Sequence, residues 1–370
     1  MPIAQTTKER TPSDRVLESA QYISKHSKEV HVPEAGARHA AREIMKRMQS
    51  TGYCAAEWKK HALNPSVAND DAVEWIFVVD ALNFSFWTDK VSAPEKRYTV
   101  TLDGTAYQGY WTLCASVNRA LREGIPMTDA TFYASVSEQE LARIFRTDDP
   151  EHQEPAPLLA ERLQVLYEVG AVLRDKYGGK FANVIKQCEG SAQRLVELIV
   201  RDFPCFRDEH RFNGRTVQLY KRAQILVADV WACFEGTGHG SFYDIDAVTM
   251  FADYRVPQAL CHFGALAYSD QLLEFLSASE RAVDSKGEKR TGSAVSCPPK
   301  QPGLLASGHP WEIEIRGNSI WAVEQIRRII AEAGIHVNAI LIDFYLWDYA
   351  KEHSQSMRSI PIHLTRSIFY

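Results

Sequence analysis

The chain has 370 residues, 45% hydrophobic and 24% charged, enough apolar material for one large domain or about two ordinary ones. A formal net charge of −5 disfavours a surface that holds long nucleic acid by counterion release and leaves room only for a local basic pocket. Seven scattered cysteines with no C-x-x-C pair suit a reducing, cytoplasmic setting better than a disulfide framework, and are expected as buried small hydrophobes.

Residues 1–11 are polar and mixed in charge, with neither the apolar run of a secretory signal nor an acid-free Arg-rich pattern, and are expected to form a disordered lead. From Ser13, a candidate N-cap, apolar residues recur at three-to-four spacing and predict two helices broken at Val32-Pro33. The run AVEWIFVVDALNFSFW suits a buried strand or a buried helix, and the helix is preferred; it carries Asp80 and Asn83 and is too short to span a bilayer. Tyr98, Val100 and Leu102 alternate with polar residues before Asp103-Gly104, which predicts a small β-hairpin. Helical periods follow, with Ser137 and Glu140 as a capping box.

The acidic, proline-rich stretch TDDPEHQEPAP reads as a surface connection. It divides an N-terminal helical part, 12–148, from a C-terminal part, 158–370, the two forming either separate domains or one compact unit. Further helical periods stop at Gly178-Gly179 and elsewhere. Residues 279–308 are rich in Ser, Gly, Lys and Pro without period, and are expected to be a mobile surface insertion. Order resumes at HPWEIEIRGNSIW, with Asn318 or Ser319 as candidate caps, and ends with the helical run NAILIDFYLWDYAKEH. The fold class is mostly α with a small β-hairpin.

No histidine or cysteine stands at metal-ligand spacing, no P-loop or G-x-S-x-G is present, and Gly236 to Phe242 is better read as a turn than as a phosphate loop. No metal or cofactor is implied. What remains is a repeated theme: acids and aromatics set in apolar runs, with Lys221 and Asp229 in one segment, Asp253 in a second, and Asp343, Phe344 and Asp348 in a third. A carboxylate in an apolar helix costs several kcal/mol to desolvate unless it is paired or used, so each marks an internal ion pair, such as Asp229 with Arg222 or Arg255, or a site. Rings beside acids suit a planar ligand rich in hydrogen-bond donors, and a nucleobase fits.

The stretches VVDALNFSFW, DGTAYQGYWTLCASVNRALREGIP, YKRAQILVADVWACFEG, MFADYRVPQAL, EIEIRGNSIWAVE and LIDFYLWDYAKE together resemble the queuosine salvage protein family, over a region from about residue 12 to the C-terminus. The resemblance implies a helical fold like that of helix-hairpin-helix DNA glycosylases, acting on a free nucleotide instead of DNA. The implied reaction splits the N-glycosidic bond of queuosine 5'-monophosphate and releases queuine; a non-catalytic nucleotide- or base-binding protein is the alternative. By the same resemblance Asp253 is the catalytic aspartate, and Lys221, Phe251, Tyr254, Asp343, Phe344, Asp348 and His61 contact the substrate. Lys221 is read as a phosphate ligand, with a structural ion pair or support of Asp253 as the other readings. The expected partner is that small nucleotide, with no polymeric nucleic acid and no membrane, and the expected state is a monomer.

Overall fold

The computed structural model describes residues 10–87, 98–148, 156–281 and 303–370. Residues 1–9 of the expected lead and 282–302 of the expected insertion, with Cys297, lie outside the described residues, as does most of the acidic connection. The chain opens with α1 (Pro12–His26), the short strand β1 (Val30–His31) and α2 (Glu34–Thr51), followed by α3 (Asp70–Ala81). The hairpin of β2 (Thr99–Leu102) and β3 (Thr105–Gln108) leads into α4 (Tyr110–Arg122), α5 (Ala130–Tyr133) and α6 (Glu138–Ile144). Next come α7 (Leu159–Tyr177), α8 (Phe181–Gln187) and α9 (Ala192–Asp202), a second hairpin of β4 (Glu209–Phe212) and β5 (Arg215–Gln218), and α10 (Lys221–Cys233). The chain closes with α11 (Val256–His262), β6 (Ala267–Tyr268), α12 (Asp270–Arg281), β7 (Leu304–Ala306), α13 (Pro310–Glu332), α14 (Ala339–Glu352) and β8 (Leu364–Arg366).

Helices therefore carry the fold, and among the described residues the strands form only two-stranded ladders. The ambiguous apolar run is a helix, α3, buried from Ala72 through Ala81. Its Val73, Ile76, Phe77, Val78 and Val79 are essentially fully covered, each contributing about 1.5–3 kcal/mol by leaving water. The predicted hairpin forms with Val100 opposite Tyr107, turning through Asp103 and Gly104, both at positive φ. A second hairpin, which the sequence reading passed over, turns the same way through Asn213 and Gly214.

Two caps differ from expectation. Thr11, not Ser13, caps α1, in a reciprocal box with Asp14, while the Ser13 N–H turns inward to Gln193 Oε1. His309, not Asn318 or Ser319, caps α13 ahead of Pro310; Asn318 and Ser319 lie mid-helix, each donating to a carbonyl four residues back. The expected insertion is also narrower than 279–308: α12 runs to Arg281, and Leu304–Ala306 pairs in parallel with Leu364–Arg366. Of the cysteines, Cys114, Cys188, Cys205 and Cys233 are buried as expected, whereas Cys54 is exposed and Cys261 half-buried. Among the described residues no helix is long and apolar enough to cross a membrane.

The two sequence halves share their packing, since α1 and α2 lie on α13 and α3 lies on α10. Buried acids join them as well. Glu314 of α13 accepts the N–H groups of Lys28, Glu29 and Val30, and Glu74 of α3 accepts those of Phe181 and Ala182 at the start of α8. The α1–α13 contact needs a glycine, because a Cβ on Gly317 would stand 2.6 Å from Ile23 Cδ1 and 2.9 Å from Ile23 Cβ. Gly317→Ala is expected to destabilise the protein by about 1–3 kcal/mol, seen as a lower melting temperature. An unchanged melting temperature would mean that α1 slides away at no cost.

Candidate active site

α10 presents Lys221, Ile225 and Asp229 at four-residue spacing, one stripe along a helix, and that stripe lines a cavity of about 370 Å3. The volume suits a small ligand. α14 forms the facing wall with Asp343, Phe344, Trp347 and Asp348; the loop before α11 adds Phe251, Asp253, Tyr254 and Arg255. Trp58, His61 and the start of α4 complete it. All the site residues expected from the sequence thus meet in one cavity: Asp253, Lys221, Phe251, Tyr254, Asp343, Phe344, Asp348 and His61. The walls are aromatic, with His61 stacked on Trp111 at 3.3 Å, Trp111 edge-on to Trp347 at 5.9 Å, and Phe251 facing Phe344 at 6.0 Å.

Asp253 has two tasks at once. Its Oδ1 accepts the backbone N–H groups of Arg255 and Val256, each at 2.8 Å, and so caps α11, while the residue keeps some solvent access on the cavity side. Burial pushes its carboxyl above the usual range, opposed by the Val256 N–H, the Lys221 charge and the Arg255 N–H. The Arg255 guanidinium itself points to Gln258 Oε1 at 3.3 Å.

Lys221 is buried. Its Nζ donates to Asn83 O at 3.3 Å and Asn83 Oδ1 at 3.2 Å, and Asn83 in turn donates to Asp80 Oδ1 at 3.1 Å. Burial lowers the Lys221 pKa, and the charges of Asp253 and Asp80 work against that. Two further buried cations bracket Asn83 by donating to carbonyls at and just beyond the end of α3. Arg162 donates to Leu82 O, Phe84 O and Ser85 O at 2.5, 2.6 and 3.2 Å, and Arg222 donates to Ala81 O and Cys205 O. Arg222 is therefore committed to carbonyls and Arg255 to Gln258, so neither supplies the ion pair with Asp229 that the sequence left open.

Beneath the cavity, Arg316 of α13 fixes both functional segments. It donates to Ala252 O at 2.9 Å, next to Asp253, and to both oxygens of Asp208, at 3.1 and 2.5 Å. Asp208 Oδ2 accepts the backbone N–H of Lys221 at 3.1 Å. On the far wall Asp343 Oδ2 accepts the Phe251 N–H at 3.1 Å, and Asp348 Oδ2 accepts the Tyr53 hydroxyl at 2.5 Å. Burial holds Asp343 well above the usual carboxylate range, with the Asp253 charge adding to it; Asp348 is also raised by burial, against the Tyr53 hydrogen bond. Burial, then the Lys351 charge, lowers His61.

Tyr53, Trp58, Asn83, Trp111 and the buried Asp80 were not predicted as parts of the site. For Asp80 and Asn83 the signal was present, since both interrupt the most apolar run of the chain, the same anomaly that marked Asp253 and Asp343. Asp80 also carries a stability consequence. Burial raises its pKa to about 7 despite Asn83 and Lys221, so the folded state holds a proton that the unfolded chain releases. That contribution is complete below the ordinary aspartate pKa and is lost as pH rises through about 7. Relative to Asp80→Asn, the melting temperature of the ligand-free protein is expected to rise as pH falls from 8 to 6, a comparison that cancels the opposite contribution of the buried His363, lowered to about 3. Asp208 and Asp202, whose pKa values are lowered, lose their contributions only in stronger acid.

The helical fold and this cavity, walled by rings and set with acids around one buried lysine, define a protein built to take a nucleotide-sized ligand. The chain belongs to the queuosine salvage protein family, whose model matches residues 63–291 and 300–370. It is 43% identical over 361 residues to a Mus musculus protein named queuosine 5'-phosphate N-glycosylase/hydrolase, covering 95% of this chain and 98% of that protein. Proteins of the same name from Schizosaccharomyces pombe, 41% identical with 96% and 99% covered, and Sphaerobacter thermophilus, 35% identical with 97% of each covered, are also similar.

Proposed function

We propose that this chain hydrolyses the N-glycosidic bond of queuosine 5'-phosphate and releases queuine. The observation that supports this most is Asp253: a carboxylate fixed by two backbone N–H groups, open to a nucleotide-sized cavity and backed by a buried lysine. Bond cleavage builds positive charge on the ribose, and a fixed carboxylate stabilises that charge and takes the proton of the attacking water. The aromatic pairs exclude water from the base, and Asp343 and Asp348 accept from its amide edge and from the secondary ammonium of its side arm.

Lys221 has the charge to meet a phosphate, yet its burial between Asp253 and Asp80, with Nζ on Asn83, favours support of Asp253 as its task. The test of function is direct: incubate the protein with queuosine 5'-phosphate and follow the free base by mass spectrometry. Release of queuine is the expected result. Tight binding without release would leave the non-catalytic reading standing.

A further inference from the structure

A glycosidic bond that breaks leaves an electron pair on the base, and a 7-deazapurine has carbon where a purine would take a proton at N7. Another acid in the same cavity is placed to answer this. Asp229 lies two turns along α10 from Lys221, on the same stripe, and lines the cavity with only 4% of its surface exposed. The Trp58 side chain lines the same cavity and favours its charge, while its Oδ1 has no partner. Asp80, at the end of the adjacent α3, is fully buried and its Oδ2 likewise has no partner.

Two carboxyl groups close together in dry surroundings do not both ionise. Burial raises both, but Asn83, Lys221 and Arg222 favour charge on Asp80, which gives up its proton near pH 7, so above that pH the proton that remains belongs to Asp229. The other titratable groups facing Asp229 are Lys221 and Cys233 on its own helix, Asp343 on α14, and Tyr110 and Cys114 on α4. Burial, then the Asp80 charge, holds Asp229 well above the usual carboxylate range.

Resting on the hydrolase reading above, we propose that Asp229 is a further catalytic residue, the general acid that protonates the departing base. The bond from C1′ to the base breaks and its electron pair stays on the base. The Asp229 proton moves to a ring nitrogen of the base. Water adds its oxygen to C1′ and gives a proton to Asp253. Neutral base and ribose 5-phosphate leave, with Asp253 protonated and Asp229 ionised, and solvent exchange restores both.

A leaving-group comparison tests this. On queuosine 5'-phosphate, Asp229→Asn is expected to lower kcat at least ~100-fold, while on 4-nitrophenyl ribofuranoside 5-phosphate, whose nitrophenolate leaves without a proton, it stays within ~3-fold of wild type. Equal losses on both substrates, or none on either, would overturn the assignment. A second variant guards against misfolding: Asp80→Asn removes the charge that keeps the proton on Asp229, so the alkaline limb of the kcat profile moves to lower pH, and an unmoved limb also overturns it. Wild-type protein inert on queuosine 5'-phosphate would overturn both this role and the functional reading, whereas an active wild type with a shared loss overturns only the role of Asp229.

Discussion

Asp253→Asn is expected to cut turnover of queuosine 5'-phosphate by at least ~100-fold, the scale of losing one fixed electrostatic partner of a transition state. The fold and most of the ligand affinity should survive. Asparagine is as good a helix cap as aspartate, and its Oδ1 can accept the same N–H groups of Arg255 and Val256, so α11 keeps its start. What disappears is the negative charge that the proposed mechanism sets against the ribosyl cation. Single-turnover kinetics with a melting curve on the same sample check both halves, and near wild-type turnover would remove Asp253 from the mechanism.

Lys221→Met separates the two tasks open to the lysine. If its ammonium holds Asp253 ionised, turnover falls by a similar factor on the nucleotide and the unphosphorylated nucleoside. The pH profile carries the sign. Burial already raises Asp253 and the Lys221 charge opposes that, so without it the Asp253 pKa climbs further. In the proposed mechanism activity needs the ionised carboxylate, and the acid limb of kcat/KM should therefore move to higher pH, by about 1 to 3 pH units for loss of an adjacent opposite charge. A rise in KM confined to the monophosphate, with the limb unmoved, would instead make Lys221 a phosphate ligand.

Much of this arrangement is legible in the sequence. Acids standing in apolar runs are costly, and that cost pointed to Asp253, Asp343 and Asp348, which the fold brings into one cavity. Lys221 and Phe344 stand in the same runs, and the resemblance added Phe251, Tyr254 and His61. The misses have local causes. Trp-Glu-Ile-Glu-Ile after Pro310 alternates like a strand, because Glu312 and Glu314 are buried for hydrogen bonds, Glu312 with nearby Gly308 and Arg316 and Glu314 with the distant Lys28, Glu29 and Val30, and this masks the start of α13. Asn213-Gly214 is a strong hairpin signal that was passed over among helical periods. Trp58 and Trp111 join the site only through tertiary packing, with no periodicity of their own to mark them.

The reach of Arg316 bears on how the protein fails under stress. One guanidinium on the longest helix holds Ala252 O, both oxygens of Asp208 and Glu312, and through Asp208 the first peptide of α10. Asp253 and Lys221 are thus stapled to the same core network and not to peripheral loops. Inactivation should then have no midpoint of its own: in rising urea, activity and helicity are expected to vanish along a single curve.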